Sequence, residues 1–254
     1  MSELIFDSHA HYNDARFNAD RDAVLRRLFS GEVSHILNCG ITYADSLDCL
    51  ALARQWPGMA VAAGIHPENI LESVPEDLEK LKALYDDPKV VAVGEIGLDY
   101  HWDTPRDAQK FYFEEQLKTA NALGLPVVVH DREAHGDCME LLRRYRPQGV
   151  MHCFSGSAEM AKELVALGMY VGFTGVVTFP NARRPLEAAA AVPLDRLLLE
   201  TDCPYMAPVP CRGQRCDSGM IRHTAAPLAA LHGMTVDELI RKCAENAARL
   251  FHIE

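Results

Sequence analysis

His9 and His11 close an apolar run near the start of the chain, in the stretch FDSHAH. On a β-strand, successive side chains alternate faces, so residues two apart point the same way. Two imidazoles on one face of a strand end are a ready pair of metal ligands. A surface histidine beside a satisfied buried one would read the same, so the rest of the chain must decide. Similar residues recur at the ends of later apolar runs: His66 in AAGIHPEN, Glu95 in VAVGEIGLDYH, His130 in PVVVHDREAH, His152 in VMHCFSG and Asp202 in LLLETDCPY. Any one histidine of this kind is ordinary. A carboxylate inside an apolar strand is harder to dismiss, because an unpaired buried charge is costly. Several strands delivering His, Glu or Asp to one rim is hard to reach by accident, and four histidines with two carboxylates are enough ligands for two divalent cations, one carboxylate bridging.

Such a set works only if the fold brings it to one place. Short Val, Ile and Leu-rich runs predict strands at residues 4–9, 35–39, 60–65, 90–96, 126–130, 149–154, 170–174 and 197–201. Amphipathic stretches lie between them. DRDAVLRRLFSG, DAQKFYFEEQLKTANALG and AEMAKELVALG end in Gly31, Gly124 and Gly168, glycine being a common helix stop. Strand, helix, glycine, strand is the alternation of a parallel sheet. Eight such units in 254 residues predict an α/β fold of the (β/α)8 TIM-barrel type, a single domain over 1–254. In such barrels the active site lies at the C-terminal ends of the strands, where these residues fall. A doubly wound open sheet is the alternative, but it would use fewer strands, and no G-x-G-x-x-G follows the first strand. After the eighth strand comes the loop CPYMAPVPCRGQRCDSGM, then helices near 221–232 and 236–250.

Composition narrows the class. With 48% hydrophobic and 24% charged residues, a packed globule is expected rather than disorder. Glu3, Asp7, His9 and His11 interrupt any signal-peptide core, and no apolar run is long enough to span a bilayer, so a cytoplasmic protein without a membrane partner is expected. The eight cysteines lack the spacing of a disulfide scaffold and read as reduced thiols. Cys211 and Cys216 are close enough for a second metal site, but no further ligands stand near them in sequence. A formal net charge of −11 argues against long, non-specific tracking along nucleic acid, though not against a small end-binding site neutralised by metal ions.

Taken together, DSHAHY, GIHP, GEIGLDY, HCFSGS, ETDCPY and AENAARLF resemble the TatD family of metal-dependent hydrolases, a deoxyribonuclease family of amidohydrolase-like barrels. The resemblance spans almost the whole chain. It implies that His9, His11 and Asp202 bind one metal, that His130 and His152 bind a second, and that Glu95 bridges them. It also implies substrate contacts for His66, Arg132 and the loop carrying Arg212. Two divalent ions are therefore the expected cofactors, with Zn, Mn, Fe or Co suiting the imidazoles and Mg the carboxylates. Nucleic acid, as strand ends or short single strands, is the expected substrate, and no obligate protein partner is evident. Hydrolysis would use a metal-activated water, with Asp202 as proton acceptor. The chain departs from the family after its Arg-Gly segment, reading Cys216-Asp217-Ser218 where Asn-Glu-Pro is usual, which would bear on substrate preference at the rim.

Two rival readings remain at this level. The same site could cleave an amide, ester or lactone, since barrel folds host both chemistries. A degenerate binding module is disfavoured by the intact ligand set. Several neighbours carry expectations of their own. Asp7 and Glu200 should share the inward face with His9 and Asp202 and fix a ligand or a neighbour. Asp99 and His101 either orient the fourth loop or sit at the surface. Arg183 and Arg184 could touch phosphate, while Arg143, Arg144 and Arg146 read as a solvated helix end.

Overall fold

The computed structural model describes residues 4–253. Eight parallel strands run in sequence order around one sheet: β1 (Ile5–Ala10), β2 (Val33–Cys39), β3 (Met59–Ala63), β4 (Val90–Asp99), β5 (Val127–Arg132), β6 (Gly149–Met151), β7 (Tyr170–Phe173) and β8 (Leu197–Leu199). The ring is drawn shut where Asp202 N donates to His9 O (2.9 Å) and His11 N donates to Cys203 O (2.8 Å). Helices α1 (Arg21–Phe29), α2 (Tyr43–Ala53), α3 (Pro75–Lys82), α4 (Arg106–Leu123), α5 (His135–Tyr145), α6 (Ala158–Ala166), α7 (Arg183–Ala191) and α8 (Ile221–Leu231) follow the successive strands. α9 (Val236–Phe251) packs on β1 and β8. The (β/α)8 expectation holds.

Both faces of the strands are covered, which is why they read as continuous apolar runs rather than alternating ones. Phe6, Leu37, Ala60, Ala92, Val128, Val150, Tyr170 and Leu198, one from each strand, form the interior cluster, with Leu250 and Phe251 of α9 against it. The larger cluster lies between the strands and the surrounding helices. Gly124 and Gly168 take left-handed conformations past α4 and α6 (φ 69° and 93°), whereas α1 is capped by Ser30 and not by Gly31. Among the described residues, no helix is long and apolar enough to cross a membrane.

The strand ends differ from the expected ones in a way that serves the rim. β6 and β8 stop at Met151 and Leu199, short of the expected 154 and 201. Just beyond them Cys153 and Asp202 adopt positive φ (43° and 58°), which no ladder accommodates. β4 runs three residues longer than expected, to Asp99, and pairs with β5 as far as Arg132. That pairing needs Gly97, whose φ is 145° and where a Cβ would lie 2.0 Å from His130 O. Gly97→Ala should therefore destabilise the protein by about 3 kcal/mol, the upper part of the range for overpacking. Thermal unfolding should show a melting point lower by roughly 6–12 °C; a drop below about 2 °C would mean that β4 and β5 part easily.

Candidate metal centre

Glu95 stands in the middle of the upper barrel with its side chain 4% exposed. Its two carboxylate oxygens face different partners. Oε2 is 3.2 Å from His9 Nε2 and 3.5 Å from His11 Nε2. Oε1 is 2.7 Å from His152 Nε2, 3.0 Å from His130 Nδ1 and 3.4 Å from His66 Nε2. On the first side Asp202 Oδ1 completes a group, 3.6 Å from His9 Nε2 and 3.4 Å from His11 Nε2. The imidazole nitrogens themselves converge: His9 and His11 Nε2 are 3.0 Å apart, and His130 Nδ1 and His152 Nε2 are 3.2 Å apart. Neutral imidazoles in this arrangement aim lone pairs at one another and at a carboxylate, a donor set that suits divalent cations. The same distances also group His9 with His152 and Asp202, and His66 with Glu68 and His130.

His9, His11 and His130 are contacted from behind, as metal ligands usually are. Cys39 serves two of them: its carbonyl oxygen accepts from His11 Nδ1 (2.9 Å) and its Sγ lies 3.5 Å from His9 Nδ1. His9 also stacks on His152 at 3.9 Å. His130 Nε2 contacts Asp99 Oδ2 at 3.0 Å, so Asp99 holds a ring of the cluster and not just a loop. Glu200 Oε1 lies 3.6 Å from His152 Nδ1, too long for a hydrogen bond, and accepts from Cys153 N. Gly172 leaves room for it; a Cβ there would sit 2.3 Å from Glu200 Oε2. Cys39 carries no sequence signal, because half of its contribution is a backbone oxygen.

Asp7 fixes its neighbours, as expected, but chiefly through their backbones and hydroxyls. It accepts from Thr201 Oγ1 (2.6 Å), Thr201 N (3.0 Å), Ser218 Oγ (2.7 Å) and His9 N (3.3 Å), and the pairing of β1 with β2 shifts register between Asp7 and Ala10. Burial pushes its carboxyl up to about 7 against those four donors. The Cys216-Asp217-Ser218 departure is therefore not a rim feature. Cys216 and Ser218 are buried, Ser218 bonds Asp7 and Tyr12, and Asp217 pairs with Arg27 at 2.6 Å.

The expected substrate residues are spread out. His66 is 7% exposed and lines the cluster, its Nδ1 accepting from Glu68 N. Arg132 is exposed at the end of β5, and Arg212 lies over the Phe179 ring at 3.9 Å. Arg183 is bound to Glu187, Arg143 to Glu163 and Arg144 to Glu140. His101 pairs with Glu133 at the surface. No candidate metal group among the described residues includes a cysteine.

A family model described as "TatD related DNase" matches residues 6–252. The chain belongs to that family. It is 38% identical over 254 residues to an uncharacterized metal-dependent hydrolase, YabD, of Bacillus subtilis, covering 98% of this chain and all of that protein. It is 37% identical to a 3'-5' ssDNA/RNA exonuclease, TatD, of Cronobacter turicensis, with 97% of each covered. The crystal structure of YJJV, a TatD homologue from Escherichia coli, superposes with a TM-score of 0.91 at 34% identity over 98% of both chains. The chain is thus a TatD-family metal-dependent hydrolase.

The charges of the cluster depend on one another. Burial works against ionised Glu95, but His152, His66 and His9 outweigh it and hold the carboxyl well below its usual range. Burial likewise disfavours charge on His11 and His130. The Asp202 bond with nearby Glu95, and the Asp99 and Glu95 bonds respectively, push both up to about 9. Burial, with His152 beside it, lowers His9. A raised histidine contributes stability that is full below its unfolded value near 6.5 and is lost as pH rises through the folded value. Chelated protein should therefore melt at progressively lower temperature from pH 6.5 to 9. Metal-saturated protein, whose imidazoles are already deprotonated, should lose much less. Parallel unfolding scans of the two forms measure the difference, and coincident pH profiles would refute the charge assignment.

Proposed function

We propose that this chain is a two-metal phosphodiesterase that hydrolyses nucleic-acid strands near their ends. In this reading His9, His11 and Asp202 hold one divalent cation, His130 and His152 hold the other, and Glu95 lies between. The observation that carries it is the division of Glu95: one oxygen faces the His9–His11 pair and the other faces the His130–His152 pair. Relatives named as 3'-5' ssDNA/RNA exonucleases support the substrate class. The bound cations would neutralise phosphodiester oxygens and lower the pKa of water, the barrier to hydrolysis of an anion.

The chain's own groups do the rest. Asp202 turns Oδ1 toward His9 and His11, and in the metal-free cluster the bond with His11 helps hold its carboxyl below the usual range against the opposing effect of burial. Asp202 would take the proton of the attacking water as it adds to phosphorus, and the departing alkoxide would be stabilised by the bound cations and leave with a proton. The Asp7–Thr201 bonds fix the backbone just before Asp202, and Asp202 N is tied to His9 O, so the base and its neighbours move as one unit. His66, beside Glu95 Oε1, offers a donor to a substrate oxygen at the same end of the barrel.

Asp202→Asn should lose turnover by about 10²–10⁴-fold, the usual cost of a missing general base, with KM much less affected. The measurement is kcat, KM and bound metal beside the parent. Retention of more than about a tenth of kcat at full metal loading would remove Asp202 from the role. Exhaustive chelation should abolish hydrolysis of single-stranded DNA and RNA while leaving the circular dichroism spectrum in place, and adding back Zn, Mn or Mg should restore activity. A loaded enzyme that cleaves esters, amides or lactones but no phosphodiester would overturn the proposal.

A further inference from the structure

Trp102 is half exposed (52%), three residues beyond the end of β4 and on the rim of the barrel. The guanidinium of Arg132, the last residue of β5, lies 5.8 Å from its ring centroid, and His101 meets it edge-on at 5.0 Å. His101 Nδ1 and Glu133 Oε1, 3.0 Å apart, tie the loop after β4 to the loop after β5. Glu133 has φ of 57°, an uncommon conformation for a residue with a side chain. Outliers of this kind persist where their surroundings over-determine them, and they cluster at ligand clamps. The guanidinium thus lies over one face of a half-exposed indole, whose remaining surface is left to solvent. They are also tied to the reacting centre: Arg132 pairs with Asp99 in the β4–β5 ladder, and Asp99 holds His130.

An aromatic surface left to solvent beside a cation fits a nucleobase followed by its phosphate. Stacking accepts every base and requires it to be unpaired from a complementary strand, whereas hydrogen-bond readout would need polar groups that the indole face lacks. With 36 acids against 25 Lys and Arg, the chain's formal net charge of −11 opposes a phosphate backbone, so a contact that does not depend on charge adds to binding. We propose that Trp102 stacks the base of a nucleotide flanking the scissile phosphodiester while Arg132 faces the adjoining phosphate. This rests on the phosphodiesterase reading above.

The test is a cycle on the metal-loaded enzyme, crossing Trp102→Ala with a tetrahydrofuran abasic residue placed at each of the three terminal positions of a single-stranded oligonucleotide. Trp102→Ala should raise KM about 5- to 140-fold, the range for one lost stack, with kcat changed less than about twofold. Trp102→Phe should recover most of the loss. At one position the abasic residue should raise the parent's KM by a similar factor and leave that of Trp102→Ala unchanged. An unaltered KM in Trp102→Ala overturns the inference, as do two penalties that multiply at every position, which would mean a sugar contact or a purely structural effect. A parent enzyme that cleaves no oligonucleotide with any metal overturns the phosphodiesterase reading, and this inference with it.

Discussion

A carboxylate buried at the centre of a barrel is tolerated only where its charge is matched, because desolvating an ion without a partner costs far more than a fold can spare. Glu95 meets that condition by standing among His9, His11, His66, His130 and His152. The dependence runs both ways. Without Glu95 the two histidine pairs would lose the one anion they share, and without the imidazoles burial would favour the neutral carboxyl. Most of the upper barrel can be understood as arranging this mutual compensation. β4 and β5 stay paired long enough to set His130 beside Glu95, which requires a glycine at 97. β7 carries Gly172 where any larger residue would displace Glu200 from His152.

The outer ring of contacts is built from the same economy of charge. Asp99, Glu200 and Asp7 are all fully buried acids, and each faces a different part of the site. Asp99 contacts His130, Glu200 faces His152, and Asp7 gathers the backbone of His9 and Thr201 with the hydroxyls of Thr201 and Ser218. Acids placed behind imidazoles raise the basicity of the rings and fix which nitrogen is presented. The loop after β8 reaches into this layer through Ser218, so a sequence difference there acts on the bracing of the first strand rather than on the surface.

Three of the six described non-glycine residues with positive φ lie where strands end. Cys153, Asp202 and Glu133 all take positive φ just beyond β6, β8 and β5. At each point the chain leaves the ladder abruptly. Continuing the strand would leave successive side chains alternating between the interior and the helices, and only departure from that alternation lets neighbouring residues serve the same rim.

The sequence by itself determined the barrel and the membership of the cluster. Apolar runs of strand length recur with helix-period stretches between them, and polar residues at the ends of those runs can only meet if the runs are parallel and closed. That information is local and periodic, so it survives in one dimension. Which neighbour each acid serves was decided by tertiary structure. Strict alternation puts Asp7 beside the His9 ring, but the register of β1 against β2 shifts between Asp7 and Ala10, pairing register depends on the partner strand, and Asp7 meets His9 through the backbone N. Cys39 was invisible because its contact with His11 uses a carbonyl that every residue possesses. Ser218 joined the site only because β8 closes on β1, bringing residues more than two hundred positions apart into hydrogen-bonding distance. Contacts of that kind depend on where the closed barrel places two backbones, and no local pattern of residue types encodes that distance.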